Sequence, residues 1–208
     1  MARALFTGRL IAAFVLATCI FSFLVLFAYG VSYWNYQQTI DRTSLLSLSI
    51  AELDTLILNS SCDSSVLFQS SELFDRAASQ LRLVEKRFGK YDERVLFQKK
   101  LYAELQWRHL IIAQHFHTAC GAEIRPFLFF YSNRNAALLR ESERMGFILT
   151  SFERRDPIPI VIYSFDADLD SNLTQELVKG YNVTRAPIVY YNGSLIYPRS
   201  INDLEGFR

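Results

Sequence analysis

The first third of the chain contains its longest apolar stretch. From Leu10 to Val31 the residues are almost wholly apolar and carry no charge. At about 1.5 Å per residue, a helix of this length is roughly 33 Å long, enough to cross a hydrocarbon core of about 30 Å. Aromatic residues follow at its carboxyl end, as they do at membrane interfaces, namely Tyr29, Tyr33, Trp34 and Tyr36. We predict a transmembrane helix over 10–31, with a cleaved signal peptide as the alternative.

Charges and sequons around this segment predict its orientation. Arg3 and Arg9 precede the apolar stretch, whereas Arg42 is the one nearby basic residue after it. The positive-inside rule therefore places residues 1–9 in the cytoplasm and the body outside. Four N-x-[ST] sequons, against about one expected by chance, agree with an external, glycosylation-competent body of a single-pass cell-membrane protein. Their asparagines are Asn59, Asn172, Asn182 and Asn192.

Helix-period apolar spacing dominates the region 37–121. A first stripe alternates spacings of four and three, at Leu46, Ile50, Leu53 and Ile57. A second helix is predicted from Ser71, as its N-cap, to Gly89, and a third from Asp92 to a stop before Gly121. Short connections favour an up-down-up helical hairpin or bundle, and a dimerising coiled coil through the first helix is the alternative.

The third predicted helix contains all three histidines, His109, His115 and His117. None of the pairs has the i, i+4 spacing of helical metal ligands. We predict no metal site and expect ordinary, partly exposed side chains.

Cysteine placement suggests one bridge. Cys19 lies in the apolar stretch, whereas Cys62 and Cys120 fall at the same end of the predicted bundle. A Cys62–Cys120 disulfide is predicted, and an external compartment would preserve it. Two free thiols and a redox-active pair are the alternatives. A thiolate at Cys120 would be opposed by the dipole of the helix that ends there.

After Pro126 the apolar runs become short, as in buried strands. Phe127–Tyr131 and Ile158–Tyr163 are predicted strands, separated by a helix from Asn135 to Met145 that stops at Gly146. A helix over Leu173–Lys179, a hairpin and a short final helix complete the order, which is typical of an α/β sandwich. The hairpin joins Ile188–Tyr191 to Ser194–Tyr197 through Asn192-Gly193.

Two segments of this region, "FDADLD" (165–170) and "GYNVTRAPIVYYNG" (180–193), resemble thioredoxin-like domains over about residues 126–208. Membrane-anchored thioredoxin-like proteins of archaeal type are the nearest relatives that we can suggest. The resemblance implies a cis peptide bond before Pro187. It also implies that Asn135 and Leu138 stand where the family has the cysteines of Cys-x-x-Cys. No cysteine follows Cys120, so the resemblance implies a domain without thiol chemistry at this position.

The net charge and the motifs of the chain restrict the classes of function that it can have. With 22 basic and 21 acidic residues the net charge is +1, which predicts no nucleic-acid partner. No Ser-His-Asp triad, glycine-rich phosphate loop or pair of catalytic carboxylates is recognisable, and we predict no cofactor. We predict a membrane-anchored binding or scaffolding protein with an unknown protein or peptide partner, or a structural domain without a ligand. The binding groove would comprise Ser132, Asn133, Arg134, Arg185 and Ala186 beside Pro187. The alternative is a disulfide oxidoreductase that uses Cys62 and Cys120.

Overall fold

The structure is a computed structural model that describes residues 2–58 and 62–206, with side chains described within 13–34, 47–57 and 62–206. Two compact units are present, Met1–Leu45 and Leu46–Arg208. The elements in chain order are α1 (Ala2–Leu58), α2 (Ser64–Phe88), α3 (Glu93–Ala119), β1 (Arg125–Tyr131), α4 (Ala136–Glu153), β2 (Ile160–Asp166), α5 (Asn172–Gly180), β3 (Ile188–Tyr191), β4 (Ser194–Ile196) and α6 (Asn202–Glu205).

Helix α1 contains the apolar stretch predicted from the sequence. Its segment Ala13–Trp34 has 22 residues and a mean hydropathy of 2.4, and none of it is buried against protein. By length and composition this is one helix that could cross a membrane. The prediction of an N-terminal apolar helix of spanning length is confirmed.

Helices α2 and α3 form a hairpin joined at Gly89, whose φ of 86° favours glycine. The predicted start of the second helix at Ser71 is wrong. The helix begins at Ser64 because Asp63 acts as its N-cap and accepts a hydrogen bond from the Ser65 N–H at 2.9 Å. Asp92 caps α3 as predicted and accepts the Arg94 N–H at 3.0 Å.

The four strands form one mixed sheet in the order β2-β1-β3-β4. Strand β1 pairs parallel with β2 and antiparallel with β3, and β3 pairs antiparallel with β4. The predicted hairpin between β3 and β4 is confirmed. Its turn residues Asn192 and Gly193 have φ of 45° and 80°, as a two-residue hairpin turn requires.

Two predicted boundaries in the α/β region are wrong. Helix α4 runs through Gly146 to Glu153 instead of stopping at the glycine. A Cβ at Gly146 would lie 3.6 Å from the Phe129 ring, an ordinary contact distance, so this part of the helix packs directly on the sheet. Strand β2 begins after Pro159, whose carbonyl accepts the Arg125 N–H at 3.0 Å, and it extends to Asp166.

Helix α3 packs on two sides, and this explains how the helices and the sheet are joined. One side lies against the sheet with α5, through Ala103, Leu110, Leu128, Phe130, Tyr163 and Leu177. The other side packs with α2 and the end of α1, through Leu53, Leu73, Ala77, Leu105, Ile112 and Phe116. Helix α4 covers the opposite face of the sheet. The predicted ranges 37–121 and 126–208 therefore meet across α3, and residues 46–208 form one compact unit.

Candidate functional site

The Ala186–Pro187 peptide bond is cis, and Pro187 is buried immediately before β3. Beside it lies a groove with a volume of about 420 Å³. Of the groove residues expected from the sequence, four line it, namely Ser132, Arg134, Arg185 and Ala186. Asn133 does not, because it is buried and its side chain amide donates to Asp166 at 3.0 Å.

One carboxylate holds the loop between β1 and α4, which forms one wall of this groove and is called the groove loop below. Asp168 Oδ2 accepts the Ser132 hydroxyl at 2.5 Å, the Asn133 N–H at 3.1 Å and the Arg134 N–H at 3.0 Å. Its other oxygen, Oδ1, lies 2.9 Å from the Arg134 guanidinium. Four polar contacts to one side chain hold the loop in one conformation. Asp168 belongs to the segment FDADLD (165–170), for which the sequence predicted a family resemblance but no role of this residue.

Beneath the same loop lies a buried ionic network. Lys99 of α3 is 4% exposed, and its Nζ lies 3.1 Å from Asp166 Oδ2 and 3.4 Å from Glu85 Oε1. Asp166 is 7% exposed and accepts the Asn133 amide with the same oxygen. Tyr91 donates to the Asn133 carbonyl at 2.7 Å. Because a buried charge without a partner is strongly unfavourable, these contacts connect the loop firmly to α3. Lys99 is 67 residues from Asp166, and no local pattern in the sequence signals this pair.

The two positions that the family resemblance assigns to cysteines have other local roles here. Asn135 is the N-cap of α4, and its Oδ1 accepts the N–H groups of Ala137 and Leu138, both at 3.0 Å. Leu138 presents an apolar side chain to the groove. The amides that would stabilise a thiolate at this helix end are thus occupied by a carboxamide. Among the residues that line the groove there is no thiol and no histidine.

Hydrogen-bonding capacity and positive charge remain available at the groove. Within the described part of the chain, the backbone groups of Thr184 and Arg185 have no hydrogen-bond partner. The Arg185 guanidinium lies 5.0 Å from the centre of the Tyr197 ring, and no carboxylate of residues 62–206 forms an ion pair with it. This arrangement can bind a peptide backbone and an acidic side chain.

The predicted disulfide is present, with Cys62 and Cys120 bonded and their Cα atoms 5.4 Å apart. Cys120 is the C-cap of α3, whereas Lys99 of the same helix lies beneath the groove loop. The two residues are 21 positions apart, which corresponds to roughly 31 Å along the helix at about 1.5 Å per residue. His115 lies beside the bridge, with its ring nitrogen and both sulfurs within 4.8 Å of one another. Because the sulfurs are bonded to each other, they are not thiolate ligands for a metal.

One histidine differs from the expectation of partly exposed side chains. His109 is 1% exposed, its Nδ1 lies 2.7 Å from the Tyr163 hydroxyl, and its Nε2 lies 3.2 Å from the Ser71 hydroxyl. Burial lowers the pKa of His109 to about 4, so the ring is neutral at pH 7. His115 is half-buried and His117 is exposed. Helix α3 buries His109 because this residue faces the sheet.

Three of the four sequon asparagines, Asn172, Asn182 and Asn192, are exposed. Asn59 lies outside the described residues. The Thr174 hydroxyl of the Asn172 sequon is buried without a hydrogen-bond partner. Use of the sequons stays a prediction.

No protein-family model matches this chain, and no curated protein or solved structure is significantly similar to it.

Proposed function

We propose that this chain is a membrane-anchored binding protein whose external body contains a redox-inactive, thioredoxin-like domain. In this proposal the groove beside Pro187 binds an extended peptide segment of another protein. The observation that carries the proposal is a groove of about 420 Å³ lined by backbone groups that have no partner in the described residues. Such groups bind an extended segment by adding it as a further strand.

The charge and shape of the groove favour a particular class of peptide. Leu138, Val178 and Val183 contribute apolar surface, and Arg185 stands at the mouth without an acidic partner among the residues described around it. An extended segment with one acidic side chain and an apolar neighbour fits this arrangement. The loop contacts to Asp168 reduce the conformational freedom that the groove would lose on binding, and this favours affinity.

The alternative enzyme function, disulfide exchange through Cys62 and Cys120, has weaker support. The bridge lies about 31 Å along α3 from the lysine beneath the groove loop, and Cys120 is at a helix carboxyl end. There the helix dipole disfavours a thiolate. A substrate held beside Pro187 would therefore be far from the sulfurs.

The proposed anchor is the helix segment 13–34, with the N-terminus in the cytoplasm. This orientation is supported by Arg3 and Arg9 on one side of the apolar stretch and by the sequons on the other. Protease added to intact cells should remove the region after Tyr36. Full protection of that region would contradict the proposed orientation.

The binding proposal can be tested with the full chain in lipid nanodiscs and a library of ten-residue peptides. Peptides with a central aspartate or glutamate should be enriched over matched peptides with asparagine or glutamine. Arg185→Glu should weaken binding of the selected peptides at least tenfold, because it reverses the charge at the mouth. Arg155→Glu is the matched control, since Arg155 is exposed just beyond the opposite end of α4 from the groove loop. Equal binding by both variants, or no enrichment at all, would contradict the proposal.

A further inference from the structure

Strand β2 is at an edge of the sheet. In a strand the N–H and C=O of one residue point to the same side, and successive residues alternate between the two sides. The Pro159 carbonyl and the Ala167 N–H point toward β1, where they bond to Arg125 and Tyr131. The even-numbered residues between them therefore direct their backbone groups to the open edge.

At one of these residues, a side chain takes the place of a neighbouring strand. The carboxamide of Gln106 in α3 accepts the Ser164 N–H at 2.6 Å and donates to the Ser164 carbonyl at 2.9 Å. These are the two bonds that a paired strand would make. Because α3 satisfies Ser164 in this way, the open part of the edge consists of Ile160 and Ile162.

The backbone groups of Ile160 and Ile162 on this edge have no hydrogen-bond partner in the described residues. Both isoleucines line a cavity of about 520 Å³ between β2 and the helices α2, α3 and α4. Unpaired strand edges in a partly buried position are unfavourable for the folded state and readily accept another strand.

The walls of the cavity carry a net negative charge. Asp75 of α2 and Glu153 of α4 are acidic, and Arg82 is the one arginine or lysine in the lining. His109 also lines the cavity, but its lowered pKa leaves it neutral at pH 7. Arg82 donates to the Ser79 hydroxyl at 2.9 Å. Burial raises the pKa of Glu153, and the negative charge of Asp75 raises it further, whereas Arg154 opposes both. A basic side chain placed between the two carboxylates would therefore be stabilised.

We propose that the edge of β2 is a second binding site, which accepts an extended peptide with a lysine or arginine as an added strand next to Ile160 and Ile162. The partner's strand would end at Ser164, where Gln106 occupies the edge, and its basic residue would lie between Asp75 and Glu153. A second copy of this chain is a less suitable occupant, because pairing two β2 edges would bring the same acidic groups together. This site is separate from the groove beside Pro187, since β1 lies between β2 and β3.

The experiment uses the full chain in nanodiscs and short acetylated peptides that alternate valine with threonine, with either lysine or glutamate at the centre. The lysine peptide should bind, and the glutamate peptide should bind at least tenfold more weakly. Methylating the peptide nitrogens of one alternating set should abolish binding, whereas methylating the other set should have little effect. Hydrogen exchange at the Ile160 and Ile162 amides should slow on binding, while exchange at Ser164 stays unchanged.

Glu153→Lys should weaken binding of the lysine peptide at least tenfold, and Glu176→Lys, an exposed change on α5, should leave it unchanged. Equal effects of the two variants, or unchanged exchange at Ile160 and Ile162, would overturn the proposal. Slow exchange at both amides without peptide, together with a dimer in solution, would assign the edge to a second copy and also overturn it. Arg185→Glu should not affect this binding, so failure here and failure of the groove proposal are distinguishable.

Discussion

At the scale of single residues, α3 holds the most informative side chains. Lys99, Gln106 and His109 are polar, yet each is buried and each bonds to a group of the sheet or of its following loop. Burial of polar groups is tolerated only with such partners. These residues therefore connect the helix to the sheet.

His109 allows a test of this arrangement by pH. Its pKa is about 4 in the folded protein against about 6.5 in an unfolded chain. Between these two pKa values the unfolded state binds more protons than the folded state. The contribution of the neutral His109 ring to the free energy of unfolding is therefore fully present above pH 6.5 and is lost as the pH falls to 4. From this residue the free energy of unfolding should decrease by about 3 kcal/mol between pH 7 and pH 4.

Glutamine does not titrate, so the free energy of unfolding of the His109→Gln variant should fall by about 3 kcal/mol less than that of wild type between pH 7 and pH 4. Urea unfolding of the full chain in detergent, followed by Trp107 fluorescence at several pH values, measures the difference. Parallel decreases in the two proteins would show that His109 is not buried as a neutral ring.

At the scale of elements, capping side chains and glycines show which local sequence signals set the ends of the helices. Asp92 and Asn135 cap α3 and α4 with bonds to backbone N–H groups two or three residues away. The two glycines Gly89 and Gly146 have different structural roles. The first ends a helix with positive φ, and the second lies inside a helix against the Phe129 ring.

Alanine at these two glycines should act in opposite directions. Gly146→Ala should raise the free energy of unfolding by about 0.5–1 kcal/mol, because the helix conformation suits alanine and the new methyl meets Phe129 at an ordinary contact distance. Gly89→Ala should lower it by about 1 kcal/mol because of its positive φ. Gly146→Leu should also be destabilising, by about 1–3 kcal/mol, since the larger side chain has to displace Phe129. Urea unfolding measures all three, and a destabilising Gly146→Ala would contradict the packing described for α4.

At the scale of the whole molecule, α3 and the disulfide fix how the body is assembled. Helix α3 lies between α2 and the sheet, and the Cys62–Cys120 bridge joins its carboxyl end to the segment before α2. The groove loop is held from the other end of the same helix, through Lys99. The disulfide and the candidate groove are thus located at opposite ends of α3.

Removing the bridge tests this separation. Cys62→Ser with Cys120→Ser should lower the free energy of unfolding by about 4 kcal/mol, the chain-entropy value for a loop of this length. Peptide binding at the Pro187 groove should change less than twofold under conditions where the variant is folded. In wild-type protein isolated without reductant, an alkylating agent should label neither Cys62 nor Cys120. Labelling of either one, or a variant as stable as wild type, would contradict the structural role of the bridge.

The sequence by itself determined those features that depend on near neighbours. The apolar length of α1, the Asp92 cap and the Asn192-Gly193 hairpin were all predicted, because each depends on residues within a few positions or on one uninterrupted run. The cysteine pair was also predicted, since helix lengths and short connections were enough to place both residues at one end.

Only the tertiary structure decided the candidate sites. Gln106 bonds to Ser164 over 58 residues, and Lys99 bonds to Asp166 over 67. A polar residue on a helix has the same local pattern whether it faces water or a distant partner, so its burial is not readable from its neighbours. The continuation of α4 through Gly146 follows the same logic, because a glycine does not show whether packing on the sheet will carry the helix past it. The start of α2 is different, since the Asp63 cap is a local signal that the predicted start at Ser71 overlooked.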